Sequence, residues 1–411
     1  MRWVLALLAA TLPLWPVSTW VQFRHNVGNN AVVRGTLSTT WQVQTDGPFS
    51  STPSEVNGTV YAANNSGSLY AIDITNGRVL WTFHATSPLM TNPLVLDGNV
   101  IVGEGNQVSY VAAGVTKVGT SENALIAVDP KSGHERWRVA LAGTGMPTPA
   151  LIGSVLVEHD GSGDVTGIDA RNGKILYRTH ISGGASMVSM LPISRDRFVT
   201  ASVSPNSVWE VNGRDGAVIW QHEFSDQASG MSDCPLAGDR ERQRVFCDYT
   251  MPPAGVPHAH VGALAVQHAF AINTRNGSLL WDVPYATGTL PQWNEASIPL
   301  VYRRILYVGS SLAPQVQALD PKNGRVLWHR QVNGVVKGGL CGKDGVLYFG
   351  DYAGYLWAVD ARSGAVIGSK NMHSIFNVGS PLIAGDTLIV GTNTGTILAL
   401  PLKQVRESHE R

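Results

Sequence analysis

"GSLYAIDITNGRVLWTF", residues 67–83, reads as an alternating strand, a tight turn and a second strand ending in aromatic residues. The alternation in "SLYAID" presents one face at a time, as a β-strand requires. Asp73 is placed to accept hydrogen bonds from N–H groups of the following turn, and Asn76-Gly77 supplies the positive φ that reverses the chain. The phrase then returns: "NALIAVDPKSGHERWR" occupies 123–138 and "QVQALDPKNGRVLWHR" occupies 315–330.

Aligned on its acidic position, the phrase recurs at Asp73, Asp129, Asp169, Asn212, Asn273, Asp320, Asp360 and, degenerate, Pro401. Its aromatic column holds Trp81, Trp137, Tyr177, Trp220, Trp281 and Trp328, with Gly368 breaking the rule. Successive spacings of 56, 40, 43, 61, 47, 40 and 41 residues cluster near 40. A second unit precedes the first, as in "TNPLVLDGNVIVG" from Thr91 and "GSPLIAGDTLIVG" from Gly379. The two units give four antiparallel strands per repeat, and that period predicts the blades of a β-propeller. Each aromatic residue sits on an outer strand, where it can wedge against the next blade.

The last repeat contains three strands and stops. Its missing fourth strand is found at the start, in "LSTTWQVQ", residues 37–44. Trp41 precedes Pro53 by 12 residues, as Trp81 precedes Pro93 and Trp137 precedes Pro149. The expected fold is therefore all-β, an eight-bladed propeller whose N-terminal strand closes the last blade and removes a free sheet edge.

On these repeats the chain resembles the PQQ-like, or quinoprotein-like, eight-bladed β-propeller family, from Trp20 to Leu402. "WVQFRHNVGNNAVV", from Trp20, is similar to the lead-in of exported members. The family includes quinone-dependent alcohol dehydrogenases, a tetrathionate-hydrolysing enzyme and a lipoprotein subunit of outer-membrane β-barrel assembly. The resemblance thus implies the fold and leaves enzyme and scaffold both open.

Composition narrows the choice. A formal net charge of zero with no basic run offers nothing to neutralise a phosphate backbone, so nucleic acid is not an expected partner. Residues 1–19 read as a signal peptide, or as an N-terminal anchor if uncleaved, which is the sole expected membrane attachment. Residues 20–402 form the propeller and 403–411 a charged tail. Export places the cysteines in an oxidising compartment, periplasmic or extracellular. There Cys234 and Cys247, at the two ends of "CPLAGDRERQRVFC", are expected to pair and leave Cys341 buried.

Function is expected on one face. The two wide spacings come from second-to-third-strand connections, Gly103 to Asn123 and Met251 to Gln267, which rise beside the same axial funnel. A methionine column (Met90, Met146, Met187, Met231) leads towards the inner strands, opposite Glu295, Lys337 and Asn377, and reads first as an apolar channel plug. Glu104, Asp160, Asp248 and Asp351 sit at second-strand ends, as solvated rim charges or as oxygen donors to calcium.

Three functional readings follow. The first is an exported non-catalytic scaffold holding a protein partner or small ligand at the funnel face, with no cofactor. The second is a PQQ-dependent oxidoreductase in which Glu104, Asn106 or Asp351 holds calcium and Asp233 or Asp248 is the general base. The third is a cofactor-free hydrolase of an anionic sulfur compound, with Lys337 neutralising substrate and a funnel carboxylate as proton donor. His258-Ala-His260 offers two imidazoles on one side of an extended loop, fewer than the ligands a zinc or copper site needs. The sequence has no C-x-x-C-H, adjacent Cys-Cys, G-x-S-x-G or H-E-x-x-H.

Overall fold

Each seventeen-residue phrase forms the outer half of a four-stranded antiparallel blade, and eight such blades make the ring. The computed structural model describes residues 19–105, 122–181, 183–185, 188–256, 261–291 and 296–410, with the backbone of 111–112 and 115–116. Blades 1 to 7 span 54–84, 94–140, 150–180, 191–223, 237–289, 300–331 and 341–371. Blade 8 takes three strands from 382–401 and its outer strand, Trp41–Gln44, from the N-terminal end. The pairing runs antiparallel from Trp41 opposite Ala399 to Gln44 opposite Thr396, so the ring closes as the spacing predicts.

Seven of the eight blade junctions use one device. The outer-strand aromatic donates to a backbone carbonyl of the next blade: Trp41 to Ile74, Trp81 to Pro130, Trp137 to Ala170 and Tyr177 to Gly213. Trp220, Trp281 and Trp328 do the same to Thr274, Pro321 and Ala361. Each ring also covers the glycine of the following turn; a Cβ on Gly133 would lie 2.9 Å from the Trp81 indole. Glycine is thus required twice over, for a φ of +74° and for the close approach.

The eighth junction, where the column reads Gly368, is built differently. A short helix, Leu402–Arg406, packs its backbone over Gly368 and buries Leu402 and Val405. Beyond it Ser369 N–H donates to Ser408 C=O at 2.7 Å. Part of the segment expected as a charged tail therefore fills the place of the missing tryptophan.

The N-terminal lead-in adds a feature that no repeat announces. Trp20 exchanges backbone hydrogen bonds with Val95 of blade 2, and Val21 accepts one from Leu151 of blade 3. Val27 and Gly28 accept from Gly238 and Val301 of blades 5 and 6. Val32–Val33 then lies parallel to Ile383–Ala384 as a fifth strand of blade 8. Residues 20–33 are thereby stitched to inner strands around the ring and plug its centre.

The two inserts differ in build. In blade 2 the connection carries a small hairpin, Val111–Ala112 with Val115–Thr116. In blade 5 the two ends of the expected loop are strand: Arg244–Met251, Leu264–Asn273 and Leu279–Thr289 run past the other blades. The strands reach further into the expected Met251–Gln267 insert than the repeat suggests, because Met251 pairs with Val266 and extends the ladder. Residues 1–18, which carry nearly all of the expected signal segment, lie outside the described residues. No described helix is long and apolar enough to cross a membrane.

Candidate functional site: the axial channel and the insert-bearing face

The segments leading into the inner strands converge on the axis and tie to one another. Thr52 N–H donates to Asn92 Oδ1 at 2.8 Å, Asn92 N–H to Thr148 Oγ1 at 3.1 Å, and Gly339 N–H to Ser380 Oγ at 2.6 Å. Between them remains a cavity of about 20 Å³, bounded by Phe23 of the plug, Met90, Met146, Ile298, Val378 and Asp233. That is room for about one water. Two of the four methionines thus fill the channel as the sequence suggests. Met231 is buried in the blade 4–5 core instead, and Met187 lies outside the described residues.

The carboxylates expected around the rim are buried and committed. Asp351 accepts from the N–H groups of Gly334, Ala353 and Tyr355 at 3.0–3.1 Å and from Trp357 Nε1 at 2.8 Å. Asp160 repeats the pattern with Ala142, Gly143, Ser162 and Asp164. Both cap the tight second-to-third-strand turn and bind it to the preceding connection, so they are scaffold acceptors rather than solvated charges. Glu104 has no such turn to cap, because the first insert replaces it. Its fully buried carboxylate pairs with Arg138 and accepts from Thr86.

Asp248 does not belong to this set. Strand 244–251 continues past it, and it falls in the column held elsewhere by Gly103, Gly309, Gly350 and Gly391. At those glycines the next blade lies against the backbone; a Cβ on Gly350, for instance, would run into Phe376. Here the carboxylate occupies the space. It accepts from Tyr285 Oη at 2.6 Å, Gln267 Nε2 at 3.2 Å, and the N–H and hydroxyl of Ser297 in the segment leading into blade 6. Burial raises its pKa to about 6 against the pull of these donors.

His159 fills the same column at the junction of blades 3 and 4. Its Nε2 lies 3.1 Å from Gly183 C=O and its Nδ1 3.0 Å from Thr200 Oγ1. The carbonyl fixes the tautomer, Nε2–H donating and Nδ1 accepting. Burial lowers its pKa to about 4. Nothing in the repeat pattern marks this position, because the column is otherwise small, glycine in four blades and alanine (Ala63, Ala201) in two, with Asp248 the other departure.

Asp233 lies on a 3-10 turn, Met231–Asp233, beside the cavity, and Lys337 is buried with its Nζ 5.8 Å from the Tyr352 ring centroid. Asn106, His258, His260 and Glu295 lie outside the described residues. Cys234 and Cys247 are joined as a disulfide with Cα atoms 6.0 Å apart, and Cys341 is a buried free thiol. Sequence reasoning missed Arg24, a fully buried arginine of the plug. Its Nη2 donates to Leu340 C=O at 2.7 Å and lies 3.2 Å from Cys341 Sγ.

Calcium and a quinone fit these residues poorly. No three described His, Cys, Asp or Glu side chains converge as a metal site. The oxygens of Asp351 and Glu104 are spent on their own blades, and the axial cavity is far smaller than a fused tricyclic ring.

Comparison with known proteins agrees with the geometry of the ring. A family model described as "Outer membrane protein assembly factor BamB" matches residues 30–114, 103–246 and 266–410. Tetrathionate hydrolase of Acidithiobacillus ferrooxidans is 26% identical over 371 residues, covering 86% of this chain and 72% of that protein. Outer membrane protein assembly factor BamB of Moranella endobia is 25% identical over 362 residues, covering 85% and 84%. Among solved structures, BamB from Moraxella catarrhalis superposes with a TM-score of 0.62 at 14% identity, covering 89% of this chain and 100% of that one. Quinohemoprotein alcohol dehydrogenase from Comamonas testosteroni gives 0.64 at 13%, covering 96% and 81%. At such identities the superpositions show the fold alone.

Proposed function

This chain belongs to the PQQ-repeat propeller family described as "Outer membrane protein assembly factor BamB", and from that premise we propose that it is an exported, non-catalytic scaffold holding a protein partner or small ligand at its insert-bearing face. The plugged axis carries this reading. A channel with room for about one water admits no substrate, and the carboxylates around it serve the blades. The insert-bearing face offers contact surface instead: on the blade 5 extension Val256, Val261 and Leu264 are 40%, 64% and 57% exposed. Exposed apolar side chains grouped on a rigid support are the usual core of a protein interface.

The test has two arms. Purified protein is incubated with PQQ and Ca²⁺ and then desalted, and a photo-crosslinker is placed at Val261 or at Lys131 and Arg171 on the opposite-face turns. The scaffold reading expects no retained quinone absorbance, and one native partner crosslinked from Val261 alone. Retained quinone absorbance at one equivalent, or crosslinks from Lys131 and Arg171 only, would overturn it.

A second reading, hydrolysis of an anionic sulfur compound, draws support from the likeness to tetrathionate hydrolases. In it Lys337 neutralises the substrate and Asp233 supplies the proton, the channel opening first. Steady consumption of tetrathionate, lost in Lys337→Gln, would favour it over the scaffold.

A further inference from the structure

The inner hairpin of blade 5 departs from most of the ring. Two-residue turns such as Asp97-Gly98 and Asp344-Gly345 join the first and second strands of six blades, and blade 4 uses 193–196. Blade 5 instead uses Arg240, Glu241, Arg242 and Gln243, within the run "GDRERQR" of 238–244. The Cys234–Cys247 disulfide staples this hairpin across its base. Between it and blade 4, on the face opposite the inserts, lies a cavity of about 210 Å³, some tenfold the 20 Å³ left on the axis.

Its wall carries Arg197, Arg240, Arg244 and Arg275 against a single carboxylate, Asp239. Four positive charges less one leave +3, and the partners behind them, Glu210 on Arg197 and Arg242 on Asp239, cancel each other. The whole chain has a formal charge of zero, so this is a local concentration. Arg240 and Arg244 are held by neutral acceptors, Pro192 C=O at 2.8 Å and Pro321 C=O at 2.7 Å. Those bonds orient the guanidinium groups without neutralising them. Arg275 is exposed and its side chain has no partner among the described residues.

Like charges grouped around a cavity repel unless a counter-charge enters it. Guanidinium groups offer paired N–H donors that match the oxygens of a tetrahedral anion, and Thr274 adds a polar residue to the wall. We infer that this pocket binds a small oxyanion of the phosphate or sulfate type, on a hairpin pre-organised by the disulfide. The site is independent of the scaffold reading and lies on the other face of the ring.

The experiment is calorimetric titration of the full exported chain with inorganic phosphate and with a sulfated oligosaccharide, at low ionic strength. Saturable binding is expected, weakened roughly a hundredfold in Arg240→Gln/Arg275→Gln, about tenfold for each charge-assisted contact removed. Both residues are exposed, so the variant keeps its fold. Lys131→Gln/Arg171→Gln removes the same charge from other turns of that face and should change affinity less than about twofold, since such distant charges are screened. Binding of phosphate would place the free ion in the site; arginine-dependent binding of the oligosaccharide alone would assign the same group carried on a larger molecule. Neither ligand binding, unchanged affinity in the first variant, or an equal loss in the second would overturn the site.

Discussion

The indole of Trp41 covers Gly77, and its Nε1–H donates to the Ile74 carbonyl at 2.8 Å. One residue belongs to the strand that finishes blade 8 and the other to the turn between the third and fourth strands of blade 1. The contact that closes the ring is therefore the same contact that joins consecutive blades, made between segments 36 residues apart.

Closure should behave as a docking contact of ordinary strength. Trp41→Ala removes a buried indole and its hydrogen bond and should cost about 3–5 kcal/mol. Gly77→Ala forces a Cβ to within 2.8 Å of the indole at a φ of +76° and should cost at least about 1–2 kcal/mol. Deleting residues 37–44 should do more, because it bares the Thr396–Pro401 edge of blade 8 as well as removing the Trp41 contact. Urea unfolding midpoints and light scattering check all three. An unchanged midpoint in the deletion would mean that the N-terminal strand does not hold the ring.

Two buried groups in the glycine column oppose each other in acid. The Asp248 pKa of about 6 lies above its unfolded value. Its contribution is complete below pH 4 and is lost as pH rises through 6. The His159 pKa of about 4 lies below its unfolded value, so its contribution is complete above pH 6.5 and is lost as pH falls to 4. At about 1.4 kcal/mol per tenfold, each is worth on the order of 3 kcal/mol over its range. Asp248→Asn keeps an acceptor for Ser297 and Tyr285 but has no proton to bind. Between pH 6.5 and 4 this variant should lose more stability than the parent, and His159→Gln should lose less. Parallel stability–pH curves for parent and Asp248→Asn would show that Asp248 titrates normally.

What the sequence made legible is what repeats. The tryptophan column, the turn glycines and the closing strand all recur at fixed offsets, so one copy explains the rest. The plug was hidden because residues 20–33 occur once and pair through their backbone, which leaves little trace in side-chain pattern. Asp248 reads with Glu104, Asp160 and Asp351 as a second-strand end; only the extended ladder of blade 5 shows that it sits mid-strand. The basic pocket was overlooked inside a segment read for its two cysteines.

The plug sets the reactivity of Cys341. Arg24 and the lead-in cover this thiol, and burial pushes its pKa up, so both accessibility and thiolate content are low. In native protein Cys341 should resist alkylation, while peptide mapping finds Cys234 linked to Cys247. Removing residues 20–33 should expose Cys341 and raise its labelling rate by orders of magnitude. Rapid labelling in the intact chain would show that the lead-in leaves the channel readily.

The last blade junction tests whether the C-terminal segment is structural. Gly368 stands where the seven other blades carry an aromatic ring, and the backbone of Val405 and Arg406 lies against it. The helix buries Leu402 and Val405, and Ser369 pairs with Ser408 and Glu410 in the strand-like extension beyond. Ending the chain at Pro401 removes two buried aliphatic side chains, worth about 1.5–3 kcal/mol each, and uncovers the outer strand of blade 7. The loss should rival that of Trp41→Ala. Val405→Asp should reproduce most of it, because a charge would replace a fully buried side chain. Lys403→Ala should cost little, since its ammonium is exposed in a surface pair with Glu407. Gly368→Trp in the full chain should destabilise, because the helix backbone already fills the space. In the chain ending at Pro401 the same substitution should recover part of the loss. Urea midpoints of the five variants decide it: no loss on truncation, or a stabilising Gly368→Trp in the full chain, would show that the helix is not the substitute for the missing ring.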